Sequence, residues 1–443
     1  RFSYSLGTLQ QIARDILRHA EKGGATACET NVSDGFGQNV TVRQSAVETI
    51  EYNRDKGLSV TVYIGQKRGN ASTSDFSPQA ISDTVTAALS IARYTADDDC
   101  AGLADAELLA RDYAPLDLHF PWELSVEQAI ELAKQCEHAA YEVDKRLTNS
   151  EGATISASES HFIYANSLGF MGGYPLSRFS MSCAMIAEQA DGKQRDYWYS
   201  VARAATDLES PESIGQKAGK RSVARLGARK IATCEVPVLF EAPIAASLIG
   251  HFASAVSGSN LYRKSSFLLN SIGQHVFADD IQIRESPHLH KGLASSPFDD
   301  DGVATVERHV VENGVVQGYF LGSYSARKLG MRTTGNAGGT HNLVMYNAVP
   351  MDFSALLEKM DTGLLVTELM GHGVNSVTGD YSRGASGFWV EHGEIVYPVE
   401  EITIAGNLRE MFRGIVAIGN DVMMRGSRQC GSVLIDRMTV AGD

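Results

Sequence analysis

The sequence lacks several features that would assign it to a common class of protein. Its 443 residues contain no run of about 18 apolar residues, which a membrane-spanning helix requires. The segment that begins at Arg1 shows no apolar core of a signal peptide. The six cysteines have no C-x-x-C spacing, which is typical of reduced thiols and not of a disulfide framework. These absences predict a cytoplasmic protein with no membrane segment.

Positive charge and proline are also scarce. The chain has 39 Lys and Arg against 53 Asp and Glu, which gives a formal net charge of −14. Binding to a nucleic-acid backbone needs concentrated positive charge, so we expect no nucleic-acid partner. Proline contributes 11 residues and glycine 42, which favours β-structure with tight turns over disordered linkers. A length of 443 residues predicts two or three domains.

Complete catalytic motifs are absent as well. The chain contains no H-E-x-x-H metal helix, no G-x-S-x-G nucleophile elbow and no phosphate-binding or dinucleotide-binding glycine motif. Ser325 and Lys328 match S-x-x-K without its companion motifs, which leaves a hydrolase with an unrecognised nucleophile as one alternative. His288 and His290 form an H-x-H pair, which we interpret as a solvated loop in preference to a metal site. Residues 299–302 read DDDG and are interpreted as a solvated turn.

The spacing of apolar residues predicts an α+β protein that begins with an N-terminal α/β domain containing an antiparallel sheet and long helices. The helices are predicted over residues 8–22, 78–94, 126–143 and 213–230. Strands are predicted over residues 40–43, 48–52 and 58–65, with several short strands over 148–187. Ser125 is the expected N-cap of the third helix, and Pro78 opens the second.

The C-terminal domain is predicted to be mostly antiparallel and barrel-like. A strand over 236–240 and a small apolar helix over 243–256 open it. The dipeptides Asn313-Gly314 and His392-Gly393 are turn signals that predict two β-hairpins. We therefore place the two domains at residues 1–232 and 233–443, with a further break near residue 120 inside the first.

A glycine-rich run is the most distinctive segment of the chain. Residues 368–388 read ELMGHGVNSVTGDYSRGASGF, with apolar segments on both sides. Glycine lets a backbone approach a ligand closely because no Cβ stands in the way. The run therefore predicts either a ligand loop or a set of turns that link strands.

Several strings of the sequence, taken in order, closely resemble the TldD/PmbA zinc-protease family. In the first half they are TSDFSPQA at 73–80 and IARYT at 91–95. In the second half they are YRKSSF at 262–267, HKGLASSPFD at 290–299, SYSARKLG at 323–330, YPVEEITIAGN at 397–407 and VAIGND at 416–421, together with the glycine-rich run. The resemblance covers essentially the whole chain, and its details point to the PmbA (TldE) branch.

The resemblance implies a cytoplasmic protease made of two kinds of subunit. In this family the TldD type carries an H-E-x-x-x-H helix and a cysteine as zinc ligands, and the PmbA type pairs with it. The complex is associated with peptide-precursor maturation, antitoxin turnover and the degradation of unfolded proteins. An older name of the family, modulator of DNA gyrase, suggests a further link for which the residues offer no explanation.

This sequence departs from the family pattern at the metal helix. Ala246 and Ser247 occupy the positions of the first His and the Glu, and only the last His remains, as His251. Cys430 lies in the segment that matches the cysteine ligand. A catalytic zinc ion takes three protein ligands and a water, and Ser cannot replace Glu as general base. We therefore expect no catalytic residue and no bound cofactor in this chain, with zinc supplied by the partner subunit.

His251 and Cys430 are accordingly expected to be degenerate remnants. The favoured interpretation makes His251 a hydrogen-bonded, semi-buried histidine and Cys430 a buried thiol. The alternative is a vestigial, weak metal site.

The hypothesis is therefore a non-catalytic subunit that completes a peptide-binding cavity beside a TldD-type catalytic chain. An extended peptide can bind glycine-rich backbone through main-chain hydrogen bonds. The candidate peptide contacts are Gly371, His372, Asn375, Asp380, Tyr381, Ser382 and Arg383. Asp380 and Arg383 are alternatively a structural ion pair. A stand-alone, homodimeric peptide-binding adaptor is the alternative function.

Overall fold

One long antiparallel sheet organises the N-terminal half of the chain. The computed structural model describes residues 1–190 and 192–442. The strands of this half are β1 (Ala27–Arg43), β2 (Ala46–Ile64), β3 (Lys67–Thr73), β4 (Leu147–Asn166), β5 (Met171–Gly172), β6 (Pro175–Gln189) and β7 (Gly192–Ala202). Their order in the sheet is β3-β2-β1-β4-β6-β7, with β5 paired to β4. The predicted antiparallel sheet is confirmed.

Long helices cover this sheet in two groups. They are α1 (Leu6–Lys22), α2 (Pro78–Tyr94), α3 (Val126–Tyr141) and α4 (Pro211–Ala224), with short 3₁₀ helices at Ala106–Leu108 and Ala205–Asp207. The first two helices share an apolar core with β1, β2 and part of β4, and the other two share a second core with β4, β6 and β7. No helix in the described chain combines the length and apolar character needed to cross a membrane.

The helix boundaries follow local signals in the sequence. Ser125 forms a capping box with Gln128 at the start of α3, as its position predicts. Pro78 is the first residue of α2, and the Ser77 side chain accepts a hydrogen bond from the Ala80 backbone. The fourth helix was predicted to reach residue 230 but ends at Ala224. The chain adopts a left-handed conformation soon afterwards, with φ of 77° at Gly227, which a continuing helix does not allow.

The strands are much longer than the sequence predicts. β1 has 17 residues and β4 has 20, where short strands were expected. Buried polar residues interrupt the alternation of apolar and polar residues that predicts a strand. Thr30 and Asp34 are two such residues in β1. Their polar groups are satisfied, since Thr30 Oγ1 donates to the Ser59 carbonyl and Asp34 accepts from the Tyr4 backbone N–H. Several strands are present over 148–187 as predicted, but β4 and β6 are longer than expected because each pairs with segments far along the chain.

A closed antiparallel barrel dominates the C-terminal half, with one parallel pair. The strands of this half are β8 (Cys234–Phe240), β9 (Gln282–Glu285), β10 (Arg308–Glu312), β11 (Val315–Val316), β12 (Leu343–Tyr346), β13 (Gly363–Met370), β14 (Asp380–Glu391), β15 (Glu394–Asn407), β16 (Ile415–Ile418), β17 (Arg428–Gln429) and β18 (Val433–Ala441). The ring is β15-β14-β13-β8-β18, and pairing between β15 and β18 closes it. The predicted barrel-like domain is confirmed.

A smaller sheet and several short helices complete this half. The sheet has the order β11-β10-β9-β12-β17. The helices are α5 (Ala242–Ala255), α6 (Gly258–Tyr262), α7 (Ser323–Lys328), α8 (Phe353–Met360) and α9 (Leu408–Arg413). Both predicted hairpin turns form. The residues at the two turns have positive φ angles between 50° and 76°; they are Asn313, Gly314, His392 and Gly393. The division of the chain at residues 232 and 233 stays a prediction.

Candidate functional site

Helix α5 is the segment that the resemblance compares with a metal helix, and it lies in the core. Leu248, Ile249 and Phe252 are almost completely buried in the cluster that fills the barrel. Ala246 packs against the same cluster. The Ser247 hydroxyl donates a hydrogen bond of 2.7 Å to the Ile244 carbonyl within the helix. A methyl group and an engaged hydroxyl therefore occupy the two positions that the resemblance compares with the first metal ligand and the base.

His251 is half-buried near the end of α5 and faces strand β14. Its ring lies edge-on to the Tyr381 ring, with 5.9 Å between the centroids. Burial, together with the positive charges of Arg383 and Arg428, lowers the pKa of His251 to about 4. The Nε2 atom is buried and has no hydrogen-bond partner in the described structure. The prediction of a fully hydrogen-bonded histidine is therefore wrong, although the ring is semi-buried as expected.

Two arginines from different strands converge on His251. Arg383 lies two residues after Tyr381 on β14, so both side chains project from the same face of the strand. The guanidinium of Arg428, on β17, lies against α5, and a Cβ placed on Gly250 would be 3.1 Å from Arg428 Nη1. We call His251, Tyr381, Arg383 and Arg428 the His251 cluster. Within the described residues neither guanidinium pairs with a carboxylate.

Cys430 follows Arg428 on the same segment but points into the core. Its side chain is 1% exposed and belongs to the cluster that surrounds α5. Burial, and then the charge of Asp421, raises the pKa of its thiol far above the usual range. Since metal binding requires the thiolate, this environment opposes coordination. Cys430 is a buried thiol, as predicted.

A zinc ion does not fit this set of residues. Catalytic zinc takes three protein ligands, and His251 is flanked by two guanidinium groups that repel a divalent cation. In residues 1–190 and 192–442 no three His, Cys, Asp or Glu side chains converge as a metal site requires. We therefore assign no chemical step to a metal held by this chain.

Dialysis of the purified chain against zinc tests this directly. We expect far less than one zinc per chain to remain after removal of free metal, as measured by elemental analysis. The physical reason is the missing third ligand and the positive charge beside His251. A His251→Ala variant serves as the control and should retain the same small amount. Stoichiometric zinc in the wild type that disappears in this variant would contradict the expectation.

The glycine-rich run forms the end of β13, a connecting loop and the start of β14. Asn375 organises the loop, because its Oδ1 accepts hydrogen bonds from the Val377 and Thr378 backbone N–H groups. Asp380 accepts from the Thr378 hydroxyl at 2.8 Å and from the Asn407 amide at 3.2 Å. These two candidate peptide contacts therefore also hold the loop in shape.

The remaining candidates divide between the surface and the His251 cluster. Gly371, His372 and Ser382 are exposed along one stretch of loop and strand. Tyr381 is 1% exposed and faces α5 with Arg383. Asp380 and Arg383 are three residues apart on a strand and project to opposite faces, so the proposed ion pair between them does not form. Their roles in peptide binding stay predictions.

The other motifs of the sequence are structural. The Ser325 hydroxyl accepts from the Gly322 backbone N–H at 3.1 Å and caps α7. Lys328 pairs with Asp98, which raises its pKa, whereas a catalytic base needs a lowered one. These contacts oppose the nucleophile alternative.

The H-x-H pair and the acidic turn also form contacts within the protein. The His288 ring contacts Thr305, and the His290 ring is 2.8 Å from Asp117, so the two rings bind different partners. Asp299 is buried and accepts the Asp301 and Val303 backbone N–H groups, so the solvated turn predicted at this carboxylate is wrong.

Arg428 is the residue that sequence reasoning missed. It lies two positions before Cys430, in the segment that the resemblance compares with a zinc-binding cysteine. No alternation in the sequence marks it, because Arg428 is exposed whereas the Gln429 and Cys430 side chains that follow it are both buried. Its contact with α5 depends on tertiary packing and is not visible in the sequence.

Models of one protein family match most of the chain. The PmbA/TldA metallopeptidase domain 1 matches residues 28–92, the central domain matches 120–226, and the C-terminal domain matches 233–442. The chain belongs to the PmbA/TldA metallopeptidase family. This is the family named TldD/PmbA above, so the resemblance seen in the sequence is confirmed.

Relatives of known name place the chain in the PmbA part of this family. It is 49% identical over 420 residues to metalloprotease PmbA of Escherichia coli O157:H7, covering 95% of this chain and 93% of that protein. It is 47% identical to the metalloprotease PmbA homolog of Haemophilus influenzae, covering 98% and 96%.

Solved structures of the family share the fold. A candidate modulator of DNA gyrase from Bacteroides thetaiotaomicron is 27% identical, with a TM-score of 0.93 over 98% of this chain and 99% of that one. TldE from Thermococcus kodakarensis has a TM-score of 0.82 at 19% identity, covering 97% and 100%, and shows the fold alone.

Proposed function

We propose that this chain is the non-catalytic PmbA/TldE-type subunit of a heteromeric metalloprotease that processes or degrades peptides and unfolded proteins. It binds a TldD-type chain, which supplies the zinc ion and the catalytic residues. Its own part is to complete the cavity that holds the peptide.

The observation that carries the proposal is the state of helix α5 in an otherwise complete family fold. The positions of the first metal ligand and the base hold Ala246 and Ser247, and the surviving His251 faces two arginines. Activation of a zinc-bound water needs a general base and an open metal site, and the described residues of α5 supply neither. A complete scaffold without this machinery supports a binding role.

The glycine-rich run supports the peptide-binding part of this role. Gly371 has φ of 77° and lies in open space, where an added Cβ would meet no atom within 4 Å. The neighbouring His372 and Ser382 are exposed as well. Exposed backbone without bulky side chains can form main-chain hydrogen bonds to an extended peptide of any sequence.

The outer edge of β2 supports the binding of a partner chain. β3 pairs only with residues 58–64 of β2, and in the described structure no strand pairs with the same edge over residues 46–57. Val47, Ile50 and Tyr52 are exposed there by 44%, 45% and 67%. An exposed strand edge with apolar side chains is a template for pairing with another chain. We call residues 46–57 the free edge of β2.

Peptidase assays with mixed subunits test the proposal. Adding this chain to a TldD-type chain from the same organism should raise hydrolysis of an unstructured fluorogenic peptide by roughly tenfold, a typical coupling between interacting sites. The chain alone should show no activity. A Tyr52→Lys variant should reduce the gain, because it places a charge on the free edge of β2.

The matched control is Tyr94→Lys on helix α2, where the native side chain is 90% exposed and far along the chain from the free edge of β2. This variant should raise peptide hydrolysis as much as the wild type does. No gain over the TldD-type chain alone would reject the proposed function.

A homodimeric peptide-binding adaptor is the second candidate. The free edge of β2 favours it too, because an edge strand can pair with the same strand of a second copy. Light scattering separates the candidates: the proposed function expects the TldD-type chain to displace any homodimer. A homodimer that persists beside an equimolar TldD-type chain would support the adaptor.

We also infer that the chain works in the cytoplasm. All six cysteines are free thiols, and four of them are buried, which is typical of proteins in a reducing compartment.

A further inference from the structure

The His251 cluster carries positive charge that nothing in the described structure neutralises. Arg383 is half-buried and Arg428 lies against the backbone of α5 at Gly250. Two carboxylates on the adjoining elements are already engaged in ion pairs. Glu241, which precedes α5, binds Arg221, and Glu368 on β13 binds Arg225 at 2.7 Å. The two guanidiniums of the cluster are therefore available to an external anion.

The cluster also contains polar atoms that lack hydrogen-bond partners. His251 Nε2, the Tyr381 hydroxyl and Arg383 Nε are all buried without a hydrogen bond of good geometry in the described structure, and the Tyr381 hydroxyl lies beside the Arg383 side chain. Each buried polar group without a partner costs free energy, so native proteins rarely leave three of them side by side. A ligand with several acceptor oxygens would satisfy these groups and the two charges together.

We propose that the His251 cluster is a binding site for a carboxylate, and specifically for the C-terminal carboxylate of a bound peptide. Arginine guanidinium groups match the planar, two-oxygen shape of a carboxylate and bind it with paired hydrogen bonds. The Tyr381 hydroxyl can donate a further hydrogen bond. The cluster lies directly after the loop that connects β13 and β14, since Tyr381 and Arg383 lie at the start of β14.

The choice of a terminal carboxylate rests on the proposed function. A subunit that presents many different peptides needs to recognise a group that every peptide carries. The terminal carboxylate is such a group, and the main chain that leads to it can lie along the glycine-rich loop. The His251 cluster would then bind one end of the peptide substrate, at the position that the resemblance compares with the metal site of the catalytic subunit.

Binding of matched peptides to the full-length chain tests the proposal. A fluorescently labelled, unstructured peptide is prepared with a free C-terminus and with an amidated one, and its binding is followed by anisotropy. The free acid should bind about tenfold more tightly, because charge-assisted hydrogen bonds to the carboxylate are lost in the amide. Arg383→Gln and Arg428→Gln should each remove most of this preference.

The matched control is Arg14→Gln, which removes an exposed arginine of α1 and changes the net charge by the same amount. It should keep the preference. Arg428→Lys keeps the charge but not the paired hydrogen-bond geometry. This variant should therefore show only part of the preference for the free-acid peptide. Since Arg428 is exposed, its replacement leaves the fold intact, and circular dichroism verifies this for each variant.

A second arm identifies the anion without any peptide or partner. Acetate should raise the melting temperature of the wild type relative to chloride at equal ionic strength, and the rise should disappear in Arg428→Gln. Stabilisation by inorganic phosphate without stabilisation by acetate would overturn the proposal. Equal binding of the acid and amide peptides, or a preference that survives both arginine substitutions, would also overturn it.

The two proposals fail in different ways. An acid preference that depends on both arginines, with no gain in the mixed peptidase assay, would leave the site standing and reject the subunit function. A gain in that assay without any acid preference would reject the site alone.

Discussion

A Gly387→Ala variant is expected to lose about 3 kcal/mol or more of folding free energy, because it forces apart two strands of the barrel. Gly387 lies on β14 opposite Val366 of β13. A Cβ at this position would be 1.8 Å from the Leu365 carbonyl oxygen, which is backbone and cannot rotate away. The paired strands would have to separate, and hydrogen bonds between them would be lost.

Urea unfolding followed by circular dichroism measures this loss as a lower transition midpoint. The matched control is Gly426→Ala, where an added Cβ meets no atom within 4 Å and the backbone is not left-handed. This variant should stay within about 1 kcal/mol of the wild type. Equal midpoints for the two variants would show that the barrel tolerates the contact. Gly387 is therefore expected to serve packing, although it lies in the run that suggested a ligand loop.

The second large effect is a dependence of stability on pH that originates at His251. The folded chain lowers the pKa of this histidine to about 4 from an ordinary value of 6.5. Between these values the unfolded chain binds a proton that the folded chain does not, so stability rises with pH in this window. The contribution is fully present above pH 6.5 and is lost as pH falls through 4. Its size is about 2–3 kcal/mol.

Urea unfolding at pH 7 and at pH 4 for the wild type and His251→Gln isolates this contribution. The variant cannot titrate at this position, so the loss of stability on acidification should be smaller by about 2–3 kcal/mol. His372→Gln is the control, because His372 is exposed on the glycine-rich loop, and it should behave like the wild type. An unchanged pH dependence in His251→Gln would contradict the expected cause.

Local signals of the sequence were read correctly where the structure depends on neighbouring residues. The cap at Ser125 and the hairpin turn at Asn313-Gly314 involve only a few adjacent positions, and both appear as predicted. The end of α4 and the lengths of β1 and β4 were missed. The strand lengths depend on pairing between segments more than 100 residues apart along the chain, and the polar residues buried in β1 hide that pairing.

The sequence by itself determined the family and the α+β class, and it led to the expectation that Ala246 and Ser247 replace a metal ligand and a base. These conclusions depend on the identity and order of the residues, which the amino-acid sequence states directly. Only the tertiary structure placed Arg383 and Arg428 around His251 and, among the described residues, left their charges without a carboxylate. The three residues lie on a helix and two strands of different sheets, and the packing of α5 against β17 and the barrel is what joins them. Side-chain contacts of that range depend on the packing of whole elements, which no local pattern records.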